Sequence, residues 1–148
     1  MFTGSHFYSM DKKGRVSIPS HYREILAEHK DRELILTNYL TNLDRYVLAL
    51  PTSEWVQIEA KLGEQAFFDK DVRAFRRFLM SGVEICPLDR QGRILIPPNL
   101  RDYAKLTRDV CLVGVGRSFE IWDRQTYEAH RQQLEESIGQ EVYQKLLI

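Results

Sequence analysis

The sequence predicts a β-rich α+β fold built from two tandem modules around one shared core. Three observations predict it. A turn–strand–helix motif occurs twice, as Asp11-Lys12-Lys13-Gly14-Arg15-Val16-Ser17-Ile18-Pro19 and as Asp89-Arg90-Gln91-Gly92-Arg93-Ile94-Leu95-Ile96-Pro97, with Arg23 and Arg101 at the same offset. Each copy is followed by two apolar, strand-length runs and then by a helical stripe. The chain has 148 residues. Half of that, about 70 residues, buries too little surface to be comfortably stable alone, so the repeats are expected to share a core.

Phe7 to Met10 reads as a strand entering the first motif. Asp11 and Gly14 hold the first and fourth positions of a type I turn. Arg15-Val16-Ser17-Ile18 then alternates, turning Val16 and Ile18 inward and Arg15 and Ser17 outward. The expectation is a hairpin with an arginine beside an exposed lysine tip. Pro19 ends the strand, and Ser20 is the expected N-cap of a helix from about His21 to His29, with Tyr22, Ile25 and Leu26 inward. Glu33–Thr37 and Tyr46–Leu50 read as paired strands joined by a long polar turn, Asn38 to Arg45. Its apolar residues Tyr39, Leu40 and Leu43 suggest a contact between subunits, with folding onto the chain's own barrel as the alternative.

Thr52 or Ser53 opens a helix with Trp55, Ile58 and Leu62 on one face, ending at Gly63. Asp69 to Met80 forms a connecting helix, Val72, Phe75, Phe78 and Leu79 inward and Arg73, Arg76 and Arg77 outward, as a solvated face or, less in keeping with such runs, a second DNA-facing stripe. Val83–Cys86 begins the second repeat. Asn99 is the expected cap of its helix, with Asp102 in a capping-box position. Val110–Val115 and Ser118–Trp122 answer the earlier strand pair across a tight Gly116-Arg117 turn. A helix follows from about Arg124, with Tyr127 and Leu134 matching Trp55 and Leu62. A last short helix spans Gln140–Ile148, with Val142, Leu146 and Leu147 inward. The expected division is residues 5–52 for the first module, 53–80 for a helical connection, 81–124 for the second module and 125–148 for a C-terminal helical segment.

Lysine plus arginine and aspartate plus glutamate number 21 each, so no bulk basic field exists and any nucleic-acid role rests on local charge. No apolar run reaches the roughly 18 residues of a membrane helix. The start, Met1-Phe2-Thr3-Gly4-Ser5, lacks a signal-peptide pattern, so a cytoplasmic protein without a membrane partner is expected. Cys86 and Cys111 lie in no CxxC and are expected to be reduced and buried. His6, His21, His29 and His130 show no metal-ligand spacing. No nucleophile elbow, phosphate loop or dinucleotide fingerprint occurs. No catalytic residue, metal, cofactor or small-molecule substrate is expected.

The paired DxxxR motifs (Asp11–Arg15 and Asp89–Arg93), the Met1-Phe2-x-Gly4 start, Leu112-Val113-Gly114 and Phe119-Glu120-Ile121-Trp122-Asp123 resemble the MraZ family of bacterial transcription regulators. The resemblance covers nearly the whole chain. It implies two AbrB-like swapped-hairpin modules interleaved into a pseudo-twofold, double-psi-type β-barrel core with flanking helices. It also implies a ring homo-oligomer, associated with the nucleoid, that binds direct DNA repeats in the promoter of the cell-division and cell-wall gene cluster.

The DNA-contacting role carries onto Lys12, Lys13 and Arg15 in the first copy and onto Arg90 and Arg93 in the second. Gln91 stands where Lys13 would repeat, making the second tip less basic. Cations at a turn tip suit phosphates, and the arginine fork can pair with guanine O6 and N7. Asp11 and Asp89 would repel phosphate and are expected to cap the turns, with Gly14 and Gly92 letting the chain reverse. On spacing alone, Asp11 and Arg15 could equally be a surface ion pair of little energetic worth. Two other functions remain open at this point: an antitoxin-like swapped-hairpin protein, and a ring protein that does not read DNA.

Overall fold

The computed structural model describes residues 1–41 and 44–146. The first repeat runs β1 (Ser5–Ser9), β2 (Arg15–Ser17), α1 (Ser20–Glu28), β3 (Glu33–Thr41), β4 (Asp44–Pro51) and α2 (Thr52–Ala66). A connecting helix, α3 (Lys70–Ser81), leads to β5 (Glu84–Pro87), β6 (Arg93–Leu95), α4 (Pro98–Tyr103), β7 (Asp109–Gly114), β8 (Phe119–Asp123) and α5 (Arg124–Ser137), followed by α6 (Gln140–Lys145). The α+β class and the repeated element order are as the sequence predicts.

Strand pairing is where the two repeats merge. Six strands form one sheet in the order β1-β7-β8-β4-β3-β5, and β2 pairs with β6 in a separate ribbon; every named pair is antiparallel. Exchanging each strand for its counterpart in the other repeat reverses the six-strand order onto itself. The sheet is therefore pseudo-symmetric about the β8–β4 seam. β1 of the first repeat pairs with β7 of the second, and β5 of the second with β3 of the first.

This corrects the simple hairpin expected from the motif. Asp11 and Arg15 close one rung, with the Asp11 amide donating to the Arg15 carbonyl at 3.0 Å, and then the two arms part. β1 joins β7, while β2 joins β6. The reason is burial: Val16 and Ile94, opposite each other across the ribbon, are each 1% exposed, a degree of covering that a lone hairpin cannot supply.

The main core lies between ribbon, sheet, α1 and α4 and includes Val16, Ile18, Tyr22, Leu26, Ile94, Ile96, Leu100 and Ile121. Tyr22 sits at its centre, its ring 5.0 Å from Phe2 and 4.9 Å from Phe119, and its hydroxyl donates to the Thr3 carbonyl at 2.8 Å. A second cluster, Ile35, Leu50, Trp55 and Leu79, is where α2 and α3 pack on the strands of the first repeat. There the Thr37 hydroxyl donates to the Leu79 carbonyl, and the Asn38 side-chain amide to the Phe78 carbonyl at 2.8 Å. These buried polar groups add partners to carbonyls of the last turn of α3, where Ser81 Oγ also donates to the Phe78 carbonyl and the Gly82 amide to that of Leu79. Cys86 and Cys111 are buried and free; burial pushes their thiols up to about 12 and about 11, which keeps them protonated.

Several local expectations are corrected. The long turn from Asn38 to Arg45 is strand up to Thr41 and again from Asp44. Tyr39 packs on the second core cluster, the alternative of folding onto the chain itself, while Leu40 is exposed; Asn42 and Leu43 lie outside the described residues. Ser20 and Asn99 are not N-caps. Pro19 and Pro97 occupy those positions without a side-chain cap, because proline already holds the extended φ the position needs. Asp102 consequently makes no capping box.

Gly63 does not end α2, which continues to Ala66. Phe75 is 37% exposed instead of facing a core. Arg73 is not simply solvated, since it donates to the Ala66 carbonyl at 3.0 Å and fastens the end of α2. Leu134, Val142 and Leu146 are exposed, correcting their inward assignment. The six-residue α6 has no buried residue, and Leu147 and Ile148 lie outside the described residues.

If the ribbon's inward side chains hold the two repeats together, Ile94→Ala lowers unfolding free energy by about 2–5 kcal/mol. Urea denaturation measures this, and a loss under 1 kcal/mol would show that the ribbon is peripheral to the core.

Candidate nucleic-acid interface

The duplicated loops fold alike because the same short-range bonds close each. In the first, the Gly14 amide donates to the Asp11 carbonyl at 3.0 Å. Asp11 Oδ1 accepts from the amides of Lys13 (3.0 Å) and Arg15 (2.8 Å), and its Oδ2 accepts from Arg15 Nε at 2.7 Å. In the second, Asp89 Oδ1 accepts from Gln91 (2.8 Å) and Arg93 (2.9 Å), and Oδ2 accepts from Arg93 Nε at 3.0 Å. Each carboxylate thus fixes both the turn and the arginine. Bonding from the Arg15 amide, aided by its guanidinium, holds the Asp11 carboxyl down at about 2; Asp89 is lowered by the matching contacts.

An arginine held through Nε keeps the four N–H donors of its two terminal nitrogens. The Asp11–Arg15 and Asp89–Arg93 pairs are therefore more than an incidental ion pair. They aim a donor fork. Lys12, Lys13 and Arg90 are exposed at the tips.

The ribbon sets how the two forks are spaced. Arg15 lies opposite Leu95, and Ser17 opposite Arg93, so all four side chains share the ribbon's outer face while Val16 and Ile94 share the inner one. Arg15 and Arg93 are then diagonal neighbours, with backbone positions about 7–8 Å apart and each guanidinium turned to the aspartate of its own loop. Since β2 and β6 run antiparallel, the two loops stand at opposite ends of this outer face.

Two arginines at the offset shared by both copies of the motif, Arg23 and Arg101, belong to the loops as well, although the sequence assigned them no role. Gly14 and Gly92 have φ of +93° and +74°, a region L side chains rarely adopt. A Cβ on Gly14 would lie 2.7 Å from the Arg101 guanidinium, and one on Gly92 would lie 2.9 Å from that of Arg23. Each loop is covered by the arginine of the other repeat. The backbone makes the same crossing: the Ile18 amide donates to the Gly92 carbonyl and the Ile96 amide to the Gly14 carbonyl, both at 2.9 Å. The signal for this was the shared offset of Arg23 and Arg101; the crossing itself is a tertiary fact.

The two loops and the arginines that cover them carry seven cations, Lys12, Lys13, Arg15, Arg23, Arg90, Arg93 and Arg101, against the loops' two carboxylates, Asp11 and Asp89. A chain of zero net charge thus concentrates positive charge along one ribbon. A two-stranded ribbon of this kind fits a major groove. Among the described residues, no cluster of three or more His, Cys, Asp or Glu side chains is placed to hold a metal ion, and no helix is long and apolar enough to cross a membrane.

The chain is similar to known proteins along nearly its whole length. A family model described as "MraZ protein, putative antitoxin-like" matches twice, at residues 1–78 and 79–146. A protein of Acetivibrio thermocellus named transcriptional regulator MraZ is 47% identical over 130 residues, 88% of this chain and 86% of the relative. Proteins of the same name from Syntrophobacter fumaroxidans and Natranaerobius thermophilus are 40% and 39% identical, over 99% and 96% of this chain and 91% and 96% of theirs.

The carboxylate clasp makes a pH prediction with a definite sign. A carboxyl lowered from 3.8 to about 2 in the folded state stabilises the loop fully above about pH 5, and the stabilisation fades as pH falls from 4 through 2. An NMR titration of the Asp11 side-chain carboxyl carbon and the Arg15 amide should show both moving together with a midpoint near 2. A midpoint at the ordinary aspartate value would mean the clasp is not formed in solution.

Proposed function

The chain belongs to the MraZ family, and from that premise we propose that it is a transcription regulator, not an enzyme, that reads duplex DNA through the outer face of the β2–β6 ribbon. The observation that supports this most is the pair of carboxylate-held arginine forks, Arg15 and Arg93, on one exposed face of that ribbon.

Arg15 and Arg93 read base edges, each fork suited to guanine O6 and N7. Lys12, Lys13 and Arg90 bind phosphates, which position the protein without carrying sequence information. Asp11, Asp89, Gly14 and Gly92 orient the loops. The two modules, residues 5–52 and 81–124, act as one reading unit joined by residues 53–80. Closure of the two sheets into a double-psi-type barrel belongs to the same proposal.

The chain's zero net charge limits what one copy can do, because a few phosphate contacts give weak, salt-sensitive binding. A ring of subunits resolves this by presenting several ribbons to direct repeats in one promoter, at high effective concentration. The exposed apolar patch of Val56, Phe67 and Phe68 on and just after α2 offers a surface for such self-association. The promoter of the cell-division and cell-wall cluster is the proposed target, with the protein in the cytoplasm on the nucleoid. A second reading, an antitoxin-like partner role, draws on the exposed Val142, Tyr143 and Leu146 of the C-terminal segment; co-purification of a small toxin would favour it.

Two measurements test the leading reading. In binding titrations on upstream DNA, Arg15→Ala and Arg93→Ala both stay folded and both lose affinity. Removing a bidentate contact costs about 1–3 kcal/mol. The larger loss falls on Arg15, whose loop carries Lys13 where the other has Gln91; wild-type binding by both variants would sink the assignment. Operators with several repeats bind far more tightly than operators with one, and equal affinities would remove the argument for a ring.

A further inference from the structure

Lys30 and Lys105 are the non-glycine residues with positive φ among the described residues, at 58° and 56°. Both stand at the same place, one residue past the cap of the helix that follows each motif. At α1 the Lys30 amide donates to Ala27 and the Asp31 amide to Leu26; at α4 the Lys105 amide donates to Asp102 and the Leu106 amide to Arg101. That double bond is the Schellman ending, whose left-handed residue is ordinarily glycine. A lysine there strains the backbone, and strain of this kind is kept where the side chain has a use.

The surroundings of Lys30 indicate that use. Lys30 lines a cavity of about 560 Å³ with Arg23, Ala27, Asp31, Arg32 and Leu88. Three cations face one carboxylate, and Asp31 is engaged in part by the Ser53 hydroxyl at 3.3 Å. The cavity also adjoins the second loop. Leu88 immediately precedes Asp89 and its amide donates to the Arg32 carbonyl at 3.0 Å, while Arg23 covers Gly92. This is the loop in which Gln91 replaces a lysine. Lys105 holds the equivalent backbone place beside the first loop, where the Met10 amide donates to the Arg108 carbonyl at 2.7 Å, but the cavity it lines is different, shared with Asp44, Arg45, Tyr103, Ala104 and Thr126 and without a second arginine of its own helix or turn.

We propose that Lys30, with Arg32 and Arg23, forms a phosphodiester-binding shoulder beside the second loop, and that the first repeat thereby supplies the phosphate contact the second loop's own sequence lacks. The proposal rests on the DNA-reading assignment above and adds a backbone contact to it. A duplex entering along the ribbon's outer face past Arg93 brings its sugar–phosphate strand over this cavity, and a strained lysine holds its ammonium there at the cost of some stability.

Lys30→Gly separates the two roles, with Lys105→Gly as its matched control. Thermal unfolding of both variants should stay at or above the wild-type midpoint, since glycine relieves the strain. Duplex binding is measured from 50 to 200 mM salt on the operator and on a scrambled duplex. Lys30→Gly should weaken both equally, by about an order of magnitude at 0.1 M, and reduce the log–log salt slope by about 0.9. Lys105→Gly should leave the slope unchanged. An unchanged slope for Lys30→Gly, or an equal drop for Lys105→Gly, overturns the shoulder while leaving the DNA-reading assignment intact. A wild-type chain that does not distinguish operator from scrambled DNA overturns the assignment itself.

Discussion

The fold depends on a crossing. The amide of Ile18 is satisfied by the carbonyl of Gly92, and that of Ile96 by Gly14, so each repeat finishes its strand on the turn of the other. Buried amides without partners are costly, and here neither repeat owns the partner it needs. The sheet repeats the arrangement, with β1 on β7 and β5 on β3. Val16 and Ile94 then face each other across the ribbon at the centre of the shared core. Two halves, each of a size at which a core of its own would be marginal, share their main interior.

The same crossing organises the surface. A turn on a free hairpin would be pinned only by its own two strands. Here each turn is clasped from within by its aspartate and covered from outside by an arginine of the opposite repeat. Rigidity at the tips lowers the ordering cost of gripping a ligand. It also explains why two carboxylates persist at the heart of a cationic face. Each accepts three hydrogen bonds, two from backbone amides and one from an arginine, so most of its acceptor capacity is engaged inside the loop.

Much of this was legible in the residues, because duplication writes the symmetry into the sequence. The turns, the alternation of Arg15-Val16-Ser17-Ile18 and the paired offsets of Arg23 and Arg101 all survive in the structure. What was not legible is partnership. Nothing local to residues 5–18 says that β1 leaves β2 for β7, since hydrogen-bond exchange between repeats is decided by burial across the whole core. Element ends failed where proline or a neighbouring carbonyl overrode local preference. Ser20 and Asn99 are good caps by type, yet Pro19 and Pro97 take the position; Gly63 looks like a stop, yet α2 runs on to Ala66. The strands β3 and β4 outlast their apolar runs because Thr37 and Asn38 find acceptors on α3, a partner 40 residues away in sequence.

One feature of the duplication reaches beyond stability. A homodimer of identical hairpins would present two equal ends and be bound by its own symmetry to inverted half-sites. In this chain the two ends are covalently joined and free to differ: α1 has nine residues where α4 has six, and Lys13 faces Gln91 across the pseudo-axis. The ribbon therefore has a head and a tail. Under the DNA reading proposed above, a subunit so built would lie on a duplex in one direction, and a row of them would take successive sites in the same orientation, as letters in a line rather than as a palindrome.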